Sequence, residues 1–236
     1  MPKISQTILF EDFDESNEQL FCNSDIIILK TSYKKPFEKK KWDSLMNILS
    51  VDLQNEVEKY IRWEDQYNTL IGKLLVFSAY KIIKNQELKF EYYKRDENNK
   101  PFIQDSALNF NISHSGKTIL CAISKHNIQL GIDVEEIKSI DIKGFNTIFH
   151  QNEFNRIIQA NSIDSFYKYW TRKEAYTKAI GVGITIPLDK IDTTKNMISV
   201  SENNKYYLKS YKMNKYYCSL AYTKEGSKVN WIEVKF

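Results

Sequence analysis

Cysteine, proline and glycine are all scarce in this chain of 236 residues, which holds 3 Cys, 4 Pro and 7 Gly. Cys22, Cys121 and Cys218 lie far apart and form no CxxC pair. That argues against a disulfide framework and against a zinc site. Cys121 and Cys218 sit in apolar runs and read as buried thiols. So little glycine and proline leaves no long disordered linker. No apolar run reaches the length of about 18 residues that a membrane span needs. The first residues show no basic segment leading into an apolar stretch, so a soluble, cytoplasmic protein without membrane contact is expected. Charge of one sign is not in large excess either, at +4. That suits an anionic ligand or an acidic protein partner. No stacking motif or basic stripe points to nucleic acid. The densest basic run, residues 34–41, reads as a solvated loop.

The length suits one large domain or two small ones with a real core. Residues 64–84 keep a helical rhythm through Tyr67, Leu70, Ile71, Leu74, Phe77 and Ile82. Gly72 inside it costs up to about 1 kcal/mol against Ala, so it marks close packing or close ligand approach. A weaker helical pattern covers 42–60, and residues 1–24 read as polar and irregular. Strands are expected over 25–30, 88–93, 100–103, 108–113, 118–124 and 128–134. Helices follow over 152–160 and 163–180, with Ser162 as N-cap and Gly181 closing the second. Further strands are expected over 188–192, 197–200, 206–211, 216–222 and 230–234. The order of elements predicts an α+β fold of two pseudo-symmetric halves. Each is a long helix packed on a small antiparallel sheet, with a ligand cleft between them. The division is set at 1–117 and 118–236.

Three segments carry chemistry. In Gly131-Ile132-Asp133-Val134-Glu135 the two carboxylates point to one side of a strand and Ile132 and Val134 to the other. Paired like charges imply either a wet face or a hard cation such as Mg²⁺. In Trp170-Thr171-Arg172-Lys173-Glu174-Ala175-Tyr176-Thr177-Lys178, Glu174 and Lys178 share a helical stripe with Phe166, Tyr167 and Trp170. A metal and a phosphate would satisfy them there; a simple surface pair explains the spacing but not the face. Asn111-Ile112-Ser113-His114-Ser115-Gly116 lies at a strand turn, where small residues allow an anion to approach. His126 and His150 read as surface residues.

Taken with Phe110, these three segments resemble the signature motifs of the 4′-phosphopantetheinyl transferases, in the order of the monomeric, two-halved type that activates surfactin synthetase. Lys100-Pro101-Phe102 and the stretch from Trp63-Glu64-Asp65-Gln66-Tyr67 to Gly72 are similar to that family as well, so the likeness spans about residues 40–222. The resemblance implies transfer of the phosphopantetheine arm of coenzyme A to a serine of an acyl or peptidyl carrier protein, as a holo-[acyl-carrier-protein] synthase does. It places coenzyme A between the halves, the nucleotide on the first and the metal and catalytic helix on the second. Asp133, Glu135 and Glu174 would hold Mg²⁺. Lys178 and Lys173 would neutralise phosphate oxygens. Thr69, Lys100, Pro101, Ser113 and His114 would contact the nucleotide. Glu153 matches a glutamate proposed as the base, a water on the metal being the other candidate. In relatives the segment matching 50–56 carries lysines that grip the 3′-phosphate; here it has none, and Lys59, Arg62 or the run 34–41 would have to substitute. The loop 137–149, with Lys138, Ile140, Ile142, Lys143 and Phe145, is either the carrier dock or a loop folded on its own core. The alternative to an enzyme is a catalytically silent module that binds coenzyme A or a carrier protein.

Overall fold

In the computed structural model, residues 1–14, 17–181, 186–201 and 204–236 are described. The chain runs through β1 (Ile4–Leu9), α1 (Glu18–Cys22), β2 (Ile26–Ser32), α2 (Lys39–Met46), α3 (Val51–Glu58) and α4 (Trp63–Lys84). A small hairpin of β3 (Tyr93–Arg95) and β4 (Pro101–Ile103) leads to β5 (Asn109–Ser115) and β6 (Thr118–Ser124). Then come β7 (Leu130–Glu136), α5 (Gln151–Ala160), α6 (Ile163–Ile180), β8 (Met197–Ser201), β9 (Asn204–Met213), β10 (Tyr216–Tyr222) and β11 (Val229–Lys235).

Two sheets stack back to back, each with a long helix on its outer face. The first has the order β1-β11-β2-β6-β5 and the second β7-β10-β9-β8. Alternation along the strands builds the layers. Ile27 and Leu29 of β2, with Ile119, Cys121 and Ile123 of β6, face α4. Their neighbours Ile26, Ile28, Leu120 and Ala122 meet Ile132 and Val134 of β7 and Cys218 and Leu220 of β10 between the sheets. On the far side of the second sheet, Ala221 packs with Ala175 and Ala179 of α6. The α+β, two-halved architecture is therefore present, and both long helices stand where the periodicity puts them.

Several details differ from expectation. The turn between β5 and β6 is tight, with Gly116 at a φ of +56°. It holds those strands as one hairpin in the first sheet. The expected boundary at 117/118 falls inside the turn of this hairpin. The last strand, β11, returns to lie parallel between β1 and β2. Residues 1–24 contain β1 and α1: β1 is an edge strand with one buried side chain, so no alternation announces it. The pattern over 42–60 is two helices, and 188–192 forms a 3₁₀ turn over Leu188–Lys190 rather than a strand. Ser162 begins α6 without a side-chain cap bond, while Gly181 closes it at a φ of +76°. Cys121 and Cys218 are buried free thiols. Among the described residues no helix is long and apolar enough to cross a membrane.

Candidate active site

β5 and β7 are edge strands of different sheets, and they meet at a seam sewn by side chains. Asn111, Ser113 and Ser115 alternate along β5. Asn111 Oδ1 accepts the Ile132 N–H at 2.8 Å, Ser113 Oγ that of Val134 at 3.2 Å, and Ser115 Oγ that of Glu136 at 3.0 Å. Two of these hydroxyls also donate to carboxylates: Ser113 to Asp133 Oδ1 at 3.1 Å and Ser115 to Glu135 Oε2 at 2.9 Å. A strand that cannot extend its backbone ladder thus borrows polar side chains to satisfy its N–H groups. The same side chains aim the two carboxylates.

The second wall is α6. An ideal Cβ on Gly131 would lie 2.2 Å from Ala175 O and 2.3 Å from Ala179 N, so only glycine lets helix and strand approach this closely. That approach carries Glu174 and Lys178 onto Asp133. Lys178 Nζ donates to Asp133 Oδ1 at 2.6 Å and to Ser113 Oγ at 3.1 Å. The other Asp133 oxygen, Oδ2, is buried and has no hydrogen-bond partner. Glu135 and Glu174 are half-buried. Burial pushes both carboxyls above the ordinary range, and the Asp133 charge pushes them further. Among the described residues no three His, Cys, Asp or Glu side chains are gathered about one point as a metal centre. The donor set still suits a hard cation: the Asp133 charge acts against those of Glu135 and Glu174, and one buried Asp133 oxygen has no hydrogen-bond partner.

His114 lies across the seam, its ring open to solvent on one side and walled in by the crevice on the other. Asn68, buried on α4, accepts from Tyr33 through Oδ1 at 3.1 Å and turns its Nδ2 to His114 Nδ1 at 3.3 Å. The imidazole thus accepts at Nδ1 and keeps its proton on Nε2. Burial within the crevice and then the charge of Lys178 hold its pKa below the usual value. Arg62, Lys117 and Lys138 line the same crevice with Asp65 and Glu64. Nothing in the sequence singled out Asn68, although it falls on the helix face that meets the seam.

The remaining expected site residues are placed differently. Thr69 donates its hydroxyl to Asp65 O on its own helix at 2.8 Å. Lys100, just before Pro101 at the start of β4, donates to Lys178 O at 2.6 Å and Ala179 O at 3.4 Å. It caps the carbonyl end of α6 and joins the two halves. Burial lowers the pKa of Lys100. Lys173 and Glu153 have no exposed surface and pair with each other at 2.7 Å, away from the crevice. In the segment 50–56, Glu56 takes bonds from Lys73 at 2.7 Å and Arg95 at 2.9 Å. His150 is no idle surface group: its ring and Glu153 form a capping box on α5. In the loop 137–149, Ile137, Ile140, Ile142 and Phe145 pack on the cluster of Phe149, Phe166 and Tyr167.

The family profile of the 4'-phosphopantetheinyl transferase superfamily matches residues 129–225, and that of the 4'-phosphopantetheinyl transferase N-terminal domain matches 35–126. The chain belongs to this family. It is 35% identical over 170 residues to the 4'-phosphopantetheinyl transferase gsp of Aneurinibacillus migulanus, across 68% of this chain and 70% of that one. It is 30% identical over 163 residues to the 4'-phosphopantetheinyl transferase Sfp of Bacillus subtilis, across 66% and 70%. A more distant relative is the L-aminoadipate-semialdehyde dehydrogenase-phosphopantetheinyl transferase of Mus musculus, 24% identical over 171 residues, across 64% and 54%.

Proposed function

We propose that this protein moves the 4′-phosphopantetheine arm of coenzyme A onto a serine of an acyl or peptidyl carrier protein and releases adenosine 3′,5′-bisphosphate. One observation carries the reading: Asp133 is held by Lys178 and Ser113 through one oxygen, its second oxygen is buried without a hydrogen-bond partner, and two glutamates with raised pKa values stand beside it. Such a site accepts cationic and phosphate charge together.

The leaving group departs as a phosphate, so the reaction needs charge neutralisation more than a proton. Lys178 supplies a fixed ammonium at the seam, and Ser113 keeps Asp133 from swinging away. Asp133, Glu135 and Glu174 would hold Mg²⁺, which when bound supplies Lewis-acid neutralisation of the diphosphate. Arg62, Lys117, Lys138 and His114 offer the basic wall for the nucleotide phosphates. That wall replaces the lysines missing from 50–56, where Glu56 is already committed to Lys73 and Arg95. Lys100 acts through the end of α6 that it caps.

The test is direct. Apo carrier proteins are incubated with the protein, coenzyme A and Mg²⁺, and intact mass is read for a phosphopantetheine arm on serine. Glu174→Gln keeps the shape and removes a charge, and should slow transfer by at least about 100-fold, or about 2.7 kcal/mol of barrier. Near-normal turnover in that variant removes Glu174 from the metal set. No transfer to any carrier by the unaltered protein leaves only a binding module.

A further inference from the structure

Residues 188–196 are held by the buried charges of Glu153, Arg172 and Lys173. Glu153 lies in the first turn of α5 and Lys173 midway along α6. The Glu153 carboxylate accepts four bonds: from Thr193 N at 2.8 Å and Thr193 Oγ1 at 2.5 Å on Oε1, and from His150 N at 3.0 Å and Lys173 Nζ at 2.7 Å on Oε2. A carboxylate has about four acceptor sites, so none is left. Lys173 is equally committed, donating to Leu188 O at 2.6 Å and Ile191 O at 2.5 Å as well as to Glu153. Beside it, Arg172 reaches Thr193 O at 2.8 Å and Asn196 Oδ1 at 2.5 Å. These three charges tie residues 188–196 to both helices. No open surface leads to the pair.

Neighbouring helical residues point about 100° apart. With Arg172 and Lys173 locked onto the 188–196 segment, Glu174 and Lys178 are turned toward β7. We propose that Glu153 and Lys173 are positioning residues that set the rotation of α6, and that the group taking the serine proton is not Glu153. This rests on the transferase reading above.

The experiment compares Glu153→Gln with the double variant Glu153→Gln/Lys173→Met. The single change leaves a buried ammonium without its counter-ion, whereas the double change removes both charges. We expect kcat to fall at least about 30-fold in the single variant and to recover to within about fivefold of the parent in the double, with the acidic limb of the pH–rate profile unmoved. A double variant that melts like the parent but stays as slow as the single, with the acidic limb gone, overturns the proposal. Thr193→Val keeps both charges and covers the case in which the double variant does not fold. An acidic limb left in place there upholds the positioning role, and a limb displaced to higher pH overturns it. Failure of the parent protein itself to transfer the arm is a separate result, against the function rather than the pair.

Discussion

Replacing Gly131 by alanine should damage catalysis more than its single added methyl suggests. The new Cβ would stand 2.2 Å from Ala175 O, 2.3 Å from Ala179 N and 2.8 Å from Lys178 C. All three are helix backbone, which cannot turn aside as a side chain can. To restore ordinary contact, α6 must withdraw from β7 by about 1 Å, and a misplacement of that size costs on the order of 100-fold in rate. Lys178 would lose its 2.6 Å contact with Asp133, and Glu174 would retreat with it. Overpacking of this kind destabilises by about 1–3 kcal/mol. In a domain of this size that lowers Tm by roughly 2–12 °C. Gly72→Ala is the control. Its Cβ would meet Ile112 Cγ2 at 3.1 Å, a side-chain atom able to shift, and Ala is the better helix former. We expect Gly72→Ala to keep near-parental kcat. The assay is transfer at saturating coenzyme A and carrier, beside a thermal melt followed by circular dichroism. A Gly131→Ala protein that melts cooperatively and turns over within about twofold of the parent would refute the idea that the helix-to-strand distance sets the site.

Three further outcomes follow from the same geometry. Glu135 and Glu174 have folded pKa values above their ordinary one, so they favour the fold below the ordinary value, and that contribution is lost as pH rises through the folded values. With a chelator present, Tm should therefore sag as pH rises through that window, and Mg²⁺ should lift the sag; superimposable curves with and without Mg²⁺ would argue against a cation there. Ser113→Ala leaves the buried Val134 N–H unpaired and should cost about 1–3 kcal/mol, measured by denaturant unfolding. An unchanged midpoint would mean that the seam does not depend on it. The pKa of His114 is held below its ordinary value, which favours the neutral ring. If it meets a phosphate, coenzyme A binding takes up a proton and KM falls as pH is lowered, a trend that His114→Phe should abolish. Persistence of the trend in that variant would assign it to another group.

The fold was legible wherever burial alone decides structure. α4 and α6 keep one rhythm over many turns, so their bounds could be read within a residue. The same holds for β6 and β10, whose runs end at polar turns. What escaped were elements made by partners distant in sequence. β1 shows mostly exposed side chains and exists because β11 lies beside it. The 3₁₀ turn over Leu188–Lys190 follows from Lys173, which draws the Leu188 and Ile191 carbonyls onto one ammonium. No local pattern contains either fact.

The site divides along the same line. Asp133 and Glu135 were visible because a strand has a period of two and the intervening Ile132 and Val134 had to face the core. Glu174 and Lys178 were visible because they share a stripe. Arg172 and Lys173 lie beside them in the sequence and look equally suited to phosphate, yet both are buried against a loop that composition could not place. The alternation of Asn111, Ser113 and Ser115 held more than was drawn from it. A small polar face on a strand with no further strand to pair with must satisfy something, and here it satisfies the backbone of β7. Because two of the same hydroxyls hold Asp133 and Glu135, the stability of the seam and the aim of the carboxylates depend on shared atoms. Substitutions at Ser113 or Ser115 should therefore never separate the two effects, whereas Glu174→Gln, on α6, should lower the rate and leave the seam intact.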